Sequence, residues 1–572
     1  MKLFSQIIPK KIPFSTLIIL SIIVLAGFLR VYRLSVVPPE LYGDELDAGY
    51  QAYSLLKTGK DIGGNFLPLY AQSLAEFKAP LLFYSMVPFV EIFGLSVWGV
   101  RLTAAFWGVL GVVVIYLLTK KLFNNFNIAF TASLLLTISP WHLQFSRGGF
   151  EVILLTFLLI TGVWAFLKGL EKPVFLIVAS ILFALTPYTY PTATVFMPLF
   201  VFSIIIIFQE LLKKKWSMAT TKIAVLVFIL VLLPFTWQVF FGRASDRFSQ
   251  ISVAVNPEIA KNINSARQLD NGFIGSLFHN KLLSFFHETS RNYFWSFSPQ
   301  FLFTDGDPVG RHSVGQMGEL YWFMLLPLLV GVFVLLTDSN IKKKNKYLLF
   351  CWLLLAPIPA SLTYTGAGHA IRLILLLPPL IIISAIGTSR IFEKFFKSKI
   401  KTTIAVILLI LSVFNITSYF HRYYVHYPVE SWRWWQIGYR EAFSYIKEHQ
   451  DEYDTIVINN TYEPSLIRFL FYMQYDPKIF RQQFTIDQSQ KGILPGIDGF
   501  KLDKFYFGTL SVENKGANRL AEVLTPKMLY LASQRDEIVG DLDLGIDAPK
   551  EIRVLKTITN PLGDPIFYLV TK

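Results

Sequence analysis

A single cysteine, Cys351, in 572 residues leaves no route to an intrachain disulfide, a CxxC redox pair or a Cys-based zinc site. Charge is scarce as well, at 16% of residues against 53% hydrophobic and 16% aromatic, with a mean hydropathy of +0.47. A soluble globular chain of this size does not carry that balance, so the class is polytopic membrane protein. No sequence period of about 20 to 50 residues recurs and no Pro- or Gly-rich linker divides the hydrophobic part, which excludes a solenoid and reads as one module. The first apolar run has no small-residue cleavage site after it, and its Arg30/Arg33 flank is wrong for a signal peptide. It is read as an uncleaved first span.

Apolar runs fall near residues 14–33, 97–119, 125–141, 151–167, 173–190, 194–212, 223–241, 320–336, 347–362, 371–388 and 403–420. Each approaches the roughly 20 residues that cross about 30 Å of hydrocarbon as helix, giving about 11 transmembrane helices. The run 80–93 reads as a helix lying in the interface. Lysines at 10/11, 120/121, 168/172, 213–215, 342–346 and 394–401 occupy alternate loops, which the positive-inside rule assigns to the cytoplasm. The N-terminus is then cytoplasmic. The segments 44–78, 141–151, 243–318 and 363–372, and everything after about residue 421, are external.

The net charge of +14 is concentrated in short cytoplasmic loops. Topology and anionic headgroups account for it, and a nucleic-acid partner is not expected. Hydropathy falls after Trp432-Arg-Trp-Trp-Gln436. Residues 454–459, 504–507, 528–531, 552–555 and 566–570 read as strands and 464–475 as a helix. The expected organisation is a transmembrane module over 1–435 and a small external α/β domain over 436–572.

The polar residues that matter lie at the outer mouths. Asp44 and Glu45 follow the first span, where carboxylates are expensive unless used. Asp44 reads either as the N-cap of a helix beginning there or as a general base for an acceptor hydroxyl, with Glu45 fixing geometry or a cation. Lys78 either snorkels to headgroups or supplies a point charge to a phosphate. Thr304-Asp-Gly-Asp-Pro-Val-Gly-Arg-His-Ser313 gathers Asp305, Asp307, Arg311 and His312 in a Gly-rich segment able to bend around an anion. A calcium loop is the competing reading, and it lacks further carboxylates at EF-hand spacing. His369 and Arg372 are three residues apart at a helix start, hence on nearby faces. Arg147 and Glu151 enter a span together, either as an internal salt bridge or facing a substrate.

These motifs taken in order are similar to those of the GT-C superfamily of membrane glycosyltransferases, in its protein-mannosyltransferase and ArnT-like bacterial branch. They are Asp44-Glu45, Lys78-Ala-Pro-Leu, Ser139-Pro-Trp-His142 with Ser146-Arg147 and Glu151, Gly306-Asp-x-x-x-Arg-His312, and His369-Ala-x-Arg372. The likeness covers about residues 15–440; Lys-Ala-Pro stands where relatives often have Lys-Pro-Pro. The resemblance implies an inverting glycosyltransferase that moves a sugar from a polyprenyl-phosphate donor to an acceptor hydroxyl outside a bacterial or archaeal plasma membrane. It implies Asp44 as catalytic base beside Glu45, and Lys78, Arg311, His312 and Arg372 at the donor phosphate. Arg147, Glu151 and His369 are assigned to sugar or acceptor. No cofactor is required and no metal ligand is assigned, although a divalent cation is compatible. The acceptor class, lipid, glycan or protein, stays open.

Two rivals remain at this stage. A transporter or flippase of lipid-linked sugars predicts ionisable residues at mid-span and two corresponding halves with broken helices. A polysaccharide polymerase or ligase would share most of the donor chemistry.

Overall fold

The computed structural model describes residues 14–74, 76–242, 250–270, 272–395, 399–484, 500–508, 517–535 and 551–572. Lys10, Lys11 and Lys397, used above to orient the chain, lie outside them, as do residues 243–249 of the external segment 243–318. The described chain packs as two compact units. The first comprises Met1–Tyr32, Ala104–Thr236 and Phe248–Phe420, the second Arg33–Thr103, Trp237–Arg247 and His421–Lys572. The C-terminal residues therefore share a unit with the segment that follows the first apolar run, a grouping that hydropathy along the chain does not reveal.

The protein is a multi-pass membrane protein. Among the described residues six helices are long and apolar enough to cross a bilayer: Val97–Phe123, Glu151–Gly169, Thr192–Lys215, Ala219–Phe241, Ala370–Glu393 and Val406–Glu430. Five shorter apolar helices accompany them: Ser15–Val31, Leu81–Phe93, Phe126–Ile138, Val174–Tyr188 and Trp322–Thr337. The run 347–362 is instead divided at Pro357 into helices Lys343–Leu355 and Ile358–Ser361.

In the first unit the helix Ala370–Glu393 is central, with 94% of its apolar window buried, whereas Ala219–Phe241 buries 11% of its window. Small residues let the central helices touch. A Cβ on Gly331 would collide with the Ile383 carbonyl, and one on Gly387 with the Pro327 carbonyl. Trp352 donates its indole N–H to the Leu375 carbonyl at 2.9 Å.

In the second unit a six-stranded mixed sheet runs in the order Phe500–Leu502, Phe505–Phe507, Thr455–Ile458, Met528–Ser533, Pro565–Thr571, Arg553–Thr559. Thr455–Ile458 is parallel to both of its neighbours and the remaining pairs are antiparallel. Both faces of the strands Thr455–Ile458, Met528–Ser533 and Pro565–Thr571 are covered, so consecutive residues are buried along them, whereas the edge strand Arg553–Thr559 is mostly exposed. Ile456, Ile458, Leu529, Leu531 and Leu569 join one apolar cluster with the helices Gly43–Thr58 and Ser465–Tyr472. Val457, Tyr530, Ala532 and Val570 point the other way, onto Leu520 and Leu524.

The start of Gly43–Thr58 is set by a fully buried ion pair. Arg101 Nε lies 2.9 Å from Glu45 Oε1, with both side chains 0% exposed. The other donors of the guanidinium reach Glu45 Oε2 at 3.1 Å and the carbonyls of Leu34, Pro38 and Glu40 at 3.1, 2.7 and 2.7 Å. All five Arg N–H groups are thereby used, and the ring of Trp435 lies 5.4 Å from the guanidinium carbon. Glu45 also accepts from the Tyr42 backbone N–H at 3.3 Å, closing the first turn. Removing the charge from one partner strands the other. Glu45→Gln is expected to destabilise the protein by about 3–5 kcal/mol, read as a lowered thermal midpoint of the purified protein in detergent, while Glu430→Gln, at an exposed ion pair with Arg422, leaves it nearly unchanged.

Candidate active site

The acidic cluster of the second unit sits on the first turn of Gly43–Thr58. Tyr42, not Asp44, is the N-cap, so the capping reading of Asp44 gives way to one in which its carboxylate is 54% exposed and turned toward a lysine. Asp44 and Asp47 are three residues apart and share a helix face. Lys78 Nζ lies 2.7 Å from Asp44 Oδ1, 3.1 Å from Asp47 Oδ2 and 3.8 Å from Glu76 Oε1. The lysine does not snorkel. It is delivered by a short antiparallel pair, Ala71–Gln72 with Phe77–Lys78, and Ser73 Oγ donates to Asp47 Oδ1 at 2.9 Å. Three carboxylates around one ammonium leave net negative charge, which suits a group that accepts a proton. Glu45 belongs to the sequence but not to the exposed cluster: its closed pair with Arg101 makes it a positioning residue rather than one that touches substrate.

The first unit carries a separate constellation built from two loops. In the loop Thr304–Ser313, Gly306 adopts φ +71°, and a Cβ there would press on Ser313 Oγ, the Met317 carbonyl and Glu319, so only glycine serves the turn. The turn buries Asp307, which is 2% exposed. Its Oδ1 accepts from the Val309 N–H at 2.8 Å; its Oδ2 accepts from the Ala370 N–H at 2.7 Å and bonds His312 Nδ1 at 2.9 Å. One carboxylate thus fastens the loop that carries Arg311 and His312 to the loop that carries His369 and Arg372. Trp141 supports the second loop by donating to the Ala370 carbonyl at 3.1 Å, and Gln144 supports the first by donating to the Arg311 carbonyl at 2.7 Å. Arg372 donates to Thr363 Oγ1 and Thr365 Oγ1 at 2.6 and 2.8 Å. The rings of His312 and His369 are 4.9 Å apart.

Electrostatics separate these groups. Burial pushes the Asp307 carboxyl up, but the hydrogen bond and charge of His312 outweigh it and hold the group below its ordinary range. Burial, with help from Arg372, pushes His369 down to about 3, so this imidazole is neutral. The carboxyl of Glu319 accepts from the Asp307 N–H at 3.1 Å, and burial followed by the Asp307 charge holds its proton well above the carboxylate range. Asp307, His312 and His369 present donor atoms within 4.8 Å of one another, a spacing that one metal ion can span. The sequence reading assigned no metal ligand but left a divalent cation compatible, and this spacing is consistent with that. Both oxygens of Asp307 already accept backbone N–H groups, and Arg311 and Arg372 act on His369, so the surrounding charge favours an anion, or a cation that arrives with one. The set does not suit calcium, which takes six to eight oxygen ligands, because two of its three donors are imidazole nitrogens.

Two other sequence candidates have structural work. Arg147 is 1% exposed and donates to the carbonyls of Leu29 and Tyr32 at 2.6 and 2.8 Å, satisfying the end of the helix Phe14–Val31. These bonds give Arg147 a structural role. Glu151 stands in the first turn of Glu151–Gly169, where a carboxylate complements the helix dipole. His142 is pushed well down by burial and by Arg30, whose Nη2 lies 2.7 Å from its Nδ1. Sequence reasoning missed Arg101, the pairing of Asp47 with Lys78 and the anchoring role of Asp307. A lone arginine inside the apolar run 97–119 was the available signal for the first.

Glu319 gives a test of this electrostatic picture. Between the unfolded value near 4.5 and its raised folded value, the folded state keeps a proton that the unfolded chain releases, so stability falls as pH rises. Glu319→Gln keeps the acceptor for Asp307 and removes that slope. The thermal midpoint of the variant is expected to match wild type near pH 4 and to exceed it at pH 8.

A family model described as dolichyl-phosphate-mannose-protein mannosyltransferase matches residues 77–237. No curated protein matches. Among solved structures, ArnT from Cupriavidus metallidurans bound to undecaprenyl phosphate is similar over 97% of both chains at 13% identity, with a TM-score of 0.51. Its apo form gives 0.50 at 12% identity over the same shares. The archaeal oligosaccharyltransferase AglB from Archaeoglobus fulgidus, in complex with an inhibitory peptide and a dolichol-phosphate, gives 0.50 at 14% identity; the match covers 80% of this chain and 64% of that one. The present chain thus spans about 64% of the AglB length. At such identities the likeness is one of fold.

Proposed function

We propose that this chain, which has the fold of the GT-C membrane glycosyltransferases, transfers a sugar from a polyprenyl-phosphate donor to an acceptor hydroxyl with inversion at the anomeric carbon. The observation that carries the reading is the exposed Asp44 carboxylate held 2.7 Å from Lys78 Nζ at the start of a helix rigidly set by Arg101. The mannosyltransferase family match over 77–237, which begins one residue before Lys78, supports it, as does the undecaprenyl phosphate carried by the ArnT structure of the same fold.

In this reading Asp44 takes the proton of the acceptor hydroxyl as its oxygen bonds the anomeric carbon, the bond from that carbon to the donor's phosphate oxygen breaks, and polyprenyl phosphate leaves with the electron pair. Lys78 is assigned to the donor phosphate: exchanging a carboxylate partner for a phosphate oxygen would orient the donor and release Asp44 to act as base. Arg311, His312 and Arg372, all within the first unit, are assigned on their own chemistry to a phosphate anion. Glu151 and His369 are assigned to sugar or acceptor. A divalent cation, if used, would take Asp307, His312 and His369 and neutralise phosphate charge. The reaction is assigned to the external face of a bacterial or archaeal plasma membrane, with the N-terminus cytoplasmic, on the lysine distribution.

Radiolabelled polyprenyl-phosphate sugars, tried in turn with purified protein and a host membrane extract, test the reading. The wild type is expected to label a product with one donor, and Asp44→Asn to lose about a hundredfold or more in rate. Equal rates for the two proteins would remove Asp44 from the chemistry, and transport of the donor across vesicles without label transfer would replace the reading with a transporter.

A further inference from the structure

The far end of the helix Gly43–Thr58 carries a second concentration of charge, opposite in sign to the Asp44 cluster and not used by the proposed chemistry. Lys57, Lys60, Lys478 and Arg481 line one open cavity of about 490 Å³, and no carboxylate lines it. All four residues belong to the second unit. They come from two stretches of chain that Arg481 ties together: its Nη1 donates to Ser54 Oγ at 2.9 Å and to the Asp61 carbonyl at 3.0 Å, across 427 and 420 residues of sequence. Ser54 is fully buried and in turn donates to the Lys60 carbonyl at 2.7 Å. Gly59, at φ +68°, ends the helix between Lys57 and Lys60. The wall that holds the cations is therefore set by the backbone and by a buried hydroxyl.

Like charges gathered on one concave wall repel one another, and the helix C-terminus, which accounts for Lys57 in the last turn, does not account for Lys478 on a separate helix. The carboxylates at hand are engaged elsewhere. Asp61, fully buried, accepts from the backbone N–H groups of Asn65 and Gln72 at 2.8 and 2.9 Å; Asp476 caps its own helix by accepting from Lys478 and Ile479 N–H at 2.6 and 3.3 Å. Among the described residues none of the four cations stands in an ion pair. A cleft lined by one sign of charge focuses its field and concentrates counterions. Charge also sets the class of ligand, because a single carboxylate would answer one cation of the four, whereas each phosphate monoester brings about −1.5 to −2. We propose that this cavity binds a doubly phosphorylated group, a diphosphate or two neighbouring phosphates, at a site about 20 Å along the helix from Asp44. The proposal does not depend on the glycosyltransferase reading.

Inorganic pyrophosphate is the probe, titrated calorimetrically into the full-length protein in lipid nanodiscs of phosphatidylcholine. The variant is Lys60→Gln with Lys478→Gln; both side chains are exposed, so their replacement leaves the packing intact. Lys78→Met, in the acidic cluster, is the control for an anion bound there instead. Saturable binding by the wild type, retained by Lys78→Met and weakened about tenfold or more in the double variant, is the expected result. Wild-type affinity in the double variant, no binding to the wild type, or loss confined to Lys78→Met would overturn the proposal. Repeating the titration in discs that contain phosphatidylglycerol separates the sources of phosphate. Loss of the wild type's advantage over the double variant there identifies lipid headgroups as the occupant, and a preserved advantage identifies a soluble diphosphate.

Discussion

A guanidinium without water fixes the geometry of the acidic cluster. Arg101 spends all five N–H donors on Glu45 and on three carbonyls of the segment 34–40, so the chain leaving the first apolar helix is folded back and the helix Gly43–Thr58 starts at one place. A buried charge pair is a poor source of net stability, but it is intolerant of displacement, because any shift leaves an unpaired charge in an apolar setting. That intolerance is passed to the exposed residues one turn away. Asp44 and Asp47 face Lys78 because Glu45 cannot move.

Asp307 plays the corresponding part in the other unit, by hydrogen bonding rather than by charge pairing. A single carboxylate accepts from two backbone N–H groups and one imidazole and thereby joins two loops that lie about sixty residues apart in sequence. Beside it Glu319 is kept neutral by burial and by that carboxylate, and His369 is kept neutral by burial and by Arg372. Burial thus favours the uncharged forms of Glu319 and His369, while Asp307 is held toward its ionised form and guanidiniums lie at the flank. The flanking guanidiniums give such an arrangement the charge that an anion would need.

Much of this was legible in the sequence, for identifiable reasons. Strands such as Thr455–Ile458 and Pro565–Thr571 announce themselves because short β-rich runs are bounded by polar turns. Asp44, Lys78 and the Gly306 loop stand out because polar residues at the mouth of a span are costly. What was not legible is long-range. Arg101 was absorbed into an apolar run, and its partner lies 56 residues earlier. The anchoring role of Asp307 was hidden because the loop alone does not show Ala370 arriving to claim its oxygen. Arg147 looked like a substrate contact because the helix end it satisfies is 118 residues away. The discontinuous second unit follows from packing that no local pattern encodes.

The central claim is that this chain binds a lipid phosphate through a lysine now held by carboxylates. Equilibrium binding of polyprenyl phosphate, without sugar, to the purified protein tests it most directly, comparing wild type with Lys78→Met. Saturable binding by the wild type and affinity weaker by about tenfold, or about 1.4 kcal/mol, in the variant is the predicted result. Equal affinity in the two proteins, or no binding to either while both remain folded, would contradict it.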